Sequence, residues 1–174
     1  KDVSACISLL KRKKSYGLLS PKLINKDGST QLIGRAVPNL FNFILRFFFK
    51  YDNFSVKLHQ KINSQKKLKF ILNIPFIHGP CYFIKPDVIK KVGCYDKNYF
   101  MYVEDLDLYR RIAQKFDTIY YKSIKVVHLH NKDSHKSIKL FLLHLKSILY
   151  YFHKWGVFFD CKRKIINKSA KSLT

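Results

Sequence analysis

At 174 residues, 47% of them hydrophobic, the chain is long and apolar enough for one domain with its own core. A formal charge of +23 invites a nucleic-acid reading, but lysine far outnumbers arginine among the 34 basic residues, which are spread along the chain. No helix-turn-helix, finger or RNP-like string is present, so nucleic acid is not an expected partner. A surface this basic favours anionic lipid head groups and anionic substrates instead. No stretch reaches the ~20 apolar residues of a membrane span, and the start has no signal-peptide pattern. The chain opens mid-pattern at Lys1-Asp-Val-Ser without an initiator methionine, as a piece of a longer protein does. Cys6, Cys81, Cys94 and Cys161 form no C-x-x-C pair, which suits reduced thiols in a cytoplasmic protein and argues against zinc.

In chain order, residues 3–14 read as a short amphipathic helix with its cations, Lys11-Arg-Lys-Lys14, at the stabilising end. Tyr16 to Ile24 is a strand interrupted at Pro21, and Asn25-Lys-Asp-Gly28 is a turn. Pro38 to Tyr51 is a helix apolar nearly all round, too short to span a membrane. It either packs under a sheet or lies in the lipid interface with Arg46 and Lys50 at head-group level. Residues 52–69 are polar and Lys-rich without a clear period, and read as a mobile loop over a ligand. Phe70–Ile77 and Tyr82–Lys85 are short strands around His78-Gly-Pro-Cys81, with His78 a loop histidine. Pro86–Gly93 is a short helix bracketed by Pro and Gly.

The chain's only glutamate, Glu104, stands beside Asp105, with Asp107 and Asp96 close by: four of the eleven acidic residues within twelve positions. Acids are favoured at a helix start by the macrodipole, which explains their presence but not their directions. Numbering a helix from Asp105 at ~100° per residue spreads Leu106, Leu108, Tyr109, Ile112, Ala113 and Phe116 over one apolar face, with Asp105 in its middle. Such a carboxylate is poised between desolvation and the dipole, as suits a general base. Asp107, Arg110 and Arg111 fall on the opposite side, where Asp107 meets Arg111 at i+4 or Arg110 at i+3 as a structural pair. Further on, residues 118–121 and 125–130 read as two strands. Alternation puts His128 and His130 on one face, a plausible half of a metal site. Ser134 caps a last amphipathic helix ending at Trp155, whose stripe from Ile138 to Trp155 suits a core, a partner helix or a membrane interface. A basic, loosely ordered tail covers 156–174.

The run Gly93-Cys-Tyr-Asp96 … Tyr99-Phe-Met-Tyr-Val-Glu-Asp-Leu-Asp-Leu-Tyr-Arg-Arg111 resembles the second half of inverting glycosyltransferases of family 2, in particular the bacterial rhamnosyltransferase-like branch with its G-G-F-D-E … F-F-x-Y-x-E-D-x-D-L-x-x-R signature. Upstream, Tyr16-Gly-Leu-Leu-Ser-Pro-Lys-Leu-Ile24 is similar to the family's V-G-x-x-G-P-K-L segment, with Ser20 where a Gly often stands. Gly79 matches the acceptor-side G-A element, but Pro80 replaces its small residue and Lys85-Pro86 its basic pair.

The resemblance covers about residues 16–155 and implies an α/β fold of the GT-A type, with residues 1–155 forming its acceptor-side part and the nucleotide-binding half lying before residue 1. It implies that Asp105 is the catalytic base and that Glu104 orients the acceptor or buttresses the base. Gly79, Asp96 and Tyr102 then lie on the acceptor side, and His128 at a divalent cation, Mn or Mg. The partners it implies are a nucleotide-sugar donor and a glycan or lipid-linked acceptor. It further implies a place in cell-surface polysaccharide synthesis, peripheral to the inner face of the cell membrane, with a homodimer as one use of the last helix. Alone, the chain is expected to turn over little, because the donor site is absent. The competing expectation is a non-enzymatic basic module on anionic lipid or nucleic acid, with the acidic run as a helix cap.

Overall fold

The computed structural model describes residues 2–31, 34–49, 53–64, 67–129 and 138–169. A four-stranded mixed sheet in the order β3-β6-β1-β5 lies at its centre. β1 (Tyr16–Ile24) runs parallel to β6 (Asp117–Val127), while β3 (Phe70–Leu72) and β5 (Phe83–Ile84) flank them antiparallel. β2 (Gly34–Arg35) and β4 (Phe76–Ile77) form a separate two-stranded ladder. Strand periodicity divides the core between the two faces. Leu18 and Tyr120 enter the larger cluster, whereas Leu19 and Ile119 enter a smaller one with Cys6, Leu9 and Leu10 of α1 (Asp2–Lys11).

On the other face lie α4 (Pro86–Val92), α5 (Glu104–Ala113) and α6 (Ile138–Trp155). Gly17 allows this closeness: a Cβ there would stand 2.5 Å from Phe116 Cβ. α5 feeds directly into β6, so the start of α5 lies at the sheet end where β1 and β6 terminate. That is the end at which open α/β sheets hold ligands.

Several elements differ from the sequence reading. β1 continues through Pro21, with a register irregularity between Pro21 and Lys22. The matching residues Lys122, Ser123 and Ile124 bulge from β6, so the expected pair of strands is one strand with an interruption. Residues 53–64 form a helix, α3 (Asn53–Ser64), where a loop was expected. Ser55, Leu58 and Ile62 are buried on one side of it, a helical spacing diluted in the sequence by the lysines, histidine and glutamine between them. α2 (Leu40–Phe49) packs Phe43 edge-on against His144 and Phe152 of α6, yet leaves Phe41 and Ile44 in solvent. The fold also runs past Trp155 into α7 (Cys161–Ser169). Ile166 enters the core, and the Asn167 amide bonds both the N–H and the C=O of Val37. His130 and Ser134 lie outside the described residues.

Candidate active site

Three carboxylates in the first turn of α5 go three different ways. The residue before them, Val103, provides no side-chain cap. Tyr102 and Val103 adopt left-handed φ of 66° and 68°, a costly conformation for a β-branched residue at about 1–3 kcal/mol. Packing holds it: Val103 is buried, the Tyr102 ring lies 4.5 Å from that of His144, and the Ser147 hydroxyl donates to the Met101 carbonyl. This kink sets the direction in which Glu104 and Asp105 leave the backbone.

Asp105 turns towards the loop after β4. Its Oδ2 accepts the Gly79 N–H at 3.1 Å and stands 3.2 Å from His78 Nδ1, while Oδ1 accepts the Leu106 N–H at 2.8 Å. The side chain is 18% exposed. Burial pushes its pKa up, but His78 and the two amides outweigh this and hold it below the ordinary carboxylate range. Glu104 moves the other way. Burial, aided by the charge of Asp105, raises it, and its Oε2 is buried without a hydrogen-bond partner. The two adjacent carboxyls are thus shifted in opposite directions by their surroundings.

Asp107 corrects the helical wheel, which put it on the outer side. It is fully buried, as is Arg110. The expected i+4 pair forms, Arg111 Nε to Asp107 Oδ2 at 2.9 Å, but Lys154 Nζ and Trp155 Nε1 also reach Oδ1, at 2.9 and 2.8 Å. Arg110 donates to both oxygens of Asp160 at 2.8 Å and to the Tyr151 hydroxyl, with its guanidinium 4.1 Å from the Trp155 ring centre. Asp107 and Arg110 therefore clamp α6 and the turn after it onto α5.

The other expected site residues fall into two groups. Gly79 touches Asp105, and His128 lies within electrostatic reach of His78. His128 follows β6, its N–H bonds Ile24 O, and its Nδ1 meets Gln31 Oε1 at 3.0 Å. Burial pushes the His128 imidazole down, and the nearby His78 acts the same way. Among the described residues no group of three or more His, Cys, Asp or Glu comes together to hold a metal ion. No chemistry is assigned to a cation at His128. Asp96 and Tyr102 are engaged with α6. Asp96 accepts from Tyr150, Asn98 and Lys154, the last at 2.7 Å, and these bonds hold it well below the usual carboxylate range.

The sequence reading passed over three neighbours of the carboxylates. His78 touches Asp105 directly. The Tyr95 and Tyr82 phenols are raised first by burial and then by the charge of Asp105, with Glu104 also acting on Tyr95. Tyr95 occupies the aromatic position of the Gly93-Cys-Tyr-Asp96 motif, a signal available beforehand. Nothing local marks His78, because its partner is 27 positions away in the chain.

No protein-family model and no solved structure matches the chain. It is similar to N-acetylglucosaminyl-diphospho-decaprenol L-rhamnosyltransferase of Mycobacterium tuberculosis, in strains CDC 1551 / Oshkosh and ATCC 25618 / H37Rv. Identity is 24% over 132 residues, 73% of this chain and 42% of the relative. The chain thus spans less than half the length of the curated relatives it matches. A distant likeness of this kind lends general support to a sugar-transfer role, and the mixed α/β architecture is compatible with it.

Proposed function

We propose that the protein is an inverting glycosyltransferase of the family 2 type, carrying a sugar from a nucleotide-sugar donor to a glycan or lipid-linked acceptor in cell-surface polysaccharide synthesis. The observation that carries this reading is the placement of Asp105: an ionised carboxylate at the mouth of α5, held by His78 and Gly79 at the strand ends. A helix-cap role explains it less well, since Asp107 turns inward to α6 and Asp105 reaches across to another loop. The similarity to the mycobacterial rhamnosyltransferase supports the same reading from a separate direction.

In the proposed reaction Asp105 takes the proton of the acceptor hydroxyl as that oxygen attacks the anomeric carbon. A new C–O bond forms, the bond to the diphosphate breaks, and the nucleotide diphosphate leaves with its electron pair, inverting the centre. The low pKa of Asp105 keeps it ionised and ready at neutral pH. Glu104, whose buried Oε2 is left without a hydrogen-bond partner among the described residues, binds an acceptor hydroxyl beside it. Tyr95 offers a half-exposed ring as a platform for the sugar. A lipid-linked acceptor places the reaction at the inner face of the cell membrane, with the protein peripheral to it.

The test is sugar transfer by the complete protein, wild type beside Asp105→Asn, with Mn²⁺ or Mg²⁺ and then with chelator. A folded Asp105→Asn protein should lose on the order of 10²–10⁴-fold in turnover. Equal rates for the two would remove Asp105 as base, and absence of transfer from any donor would remove the enzyme reading. Loss of transfer with chelator is the outcome a divalent cofactor requires.

A further inference from the structure

The face formed by the start of α2, the turn after α6 and α7 is apolar at its centre and basic at its rim. Phe158 and Phe159 are 80% and 95% exposed, and Phe41 of α2 is 66% exposed. A groove of about 350 Å³ runs among them, lined by Leu40, Phe41, Ile44, Val157, Phe158 and Arg163. The Arg163 guanidinium has a buried Nη1 without a hydrogen-bond partner among the described residues. α2 rests on α6 through Phe43, and α6 adds an exposed aliphatic ridge, Ile138, Leu142, Leu145 and Leu149. A monomer rarely leaves so many large apolar side chains in water without a use for them.

Charge selects the occupant. From residue 138 to 169 the only acid is Asp160, and it is buried against Arg110. Lys162, Lys164 and Lys168 of α7 and Lys139 and Lys146 of α6, on the same elements as the exposed apolar residues, are exposed as well. A second copy of this chain, itself carrying a net +23, would be repelled by this basic surface. Nucleic acid would satisfy the lysines and stack on the phenylalanines, but it has no use for the exposed aliphatic side chains Ile44, Leu142, Leu145 and Leu149. A bilayer with anionic head groups meets both halves of the pattern: acyl chains for the phenylalanines and leucines, phosphates for the cations. Among the described residues no helix is long and apolar enough to cross a membrane, so contact would lie in the interface.

We infer that this face docks on the surface of an anionic phospholipid bilayer, with Phe158 and Phe159 inserted at the level of the head groups. The inference deepens the proposed membrane-side role but is measured without donor or acceptor, so failure of transfer leaves it standing. The experiment is co-sedimentation of the protein with phosphatidylcholine vesicles, with and without about 30% phosphatidylglycerol. Wild type, the double variant Phe158→Ser/Phe159→Ser, and Lys162→Gln/Lys164→Gln/Lys168→Gln are compared. Wild type should bind only the anionic vesicles. Each variant should weaken binding by about tenfold or more while keeping its circular dichroism, since all five side chains are exposed. Absence of binding by wild type overturns the inference, and so does unchanged binding by the phenylalanine variant. Two further outcomes also overturn it: a wild-type dimer dispersed to monomers by the phenylalanine substitutions, or single-stranded DNA displacing vesicles through the same residues.

Discussion

The backbone of Gly79 lies against Asp105: its N–H donates to Oδ2 at 3.1 Å, and a Cβ at position 79 would stand 2.6 Å from Asp105 Cβ. The resemblance implied an acceptor-side place for Gly79. The space beside it is taken by the carboxylate. Gly79→Ala must push Asp105 aside or open the β4 loop, and is expected to cost about 1–3 kcal/mol of stability, read by urea denaturation. In a transfer assay on the complete protein it should lower kcat more than it raises KM, because it misplaces the proposed base.

His78→Ala removes the main partner that holds the Asp105 carboxyl down. A depressed carboxyl contributes stability that is fully present above its ordinary pKa of about 4 and is lost as pH falls through the depressed folded value. Without His78 the folded value moves up towards the ordinary one, so this contribution shrinks and its loss is complete at higher pH. Carbon-13 titration of the Asp105 carboxyl should show its midpoint shifted upward, and the acid limb of any transfer profile should move the same way. His78→Asn, whose amide nitrogen can take the place of Nδ1, should restore part of both. An unmoved Asp105 midpoint in His78→Ala would mean that the amides of Gly79 and Leu106 suffice.

Asp160→Ala leaves the fully buried Arg110 guanidinium without its bidentate partner. An uncompensated buried charge costs about 3–5 kcal/mol, enough to threaten a domain of this size. Chemical denaturation should show the loss, and Arg110→Met combined with Asp160→Leu should recover much of it, because the stranded charge is gone. Recovery would also establish that the last turn and α7 belong to the same cooperative unit as α5.

Legibility followed the range of each interaction. The pairing of Asp107 with Arg111 four residues on was readable because it depends on one turn of helix, whereas the direction of Asp105 also depends on the Tyr102–Val103 kink that packing against α6 holds. The burial of Asp107 and Arg110 was not, since a helical wheel sorts residues by polarity and both are buried through partners 47 to 50 positions away. α3 was hidden because a one-sided helix with a lysine-rich outer face has the composition of a loop. The stripe on α6 was legible as a stripe, but only the structure divides it into Ile148 and Phe152 facing the core and Leu142, Leu145 and Leu149 facing solvent.

Taken alone, the sequence determined what local chemistry determines: the strands and helices with strong period, the acidic turn at Glu104 and Asp105, and the excess of positive charge. The tertiary structure decided the partners. It brought His78 and Gly79 to Asp105, set the pKa values of two adjacent carboxyls apart, and buried an arginine and an aspartate that composition had left outside. The reason is that hydrogen bonds and desolvation act over a few ångströms of space, whichever residues the chain's path has placed there.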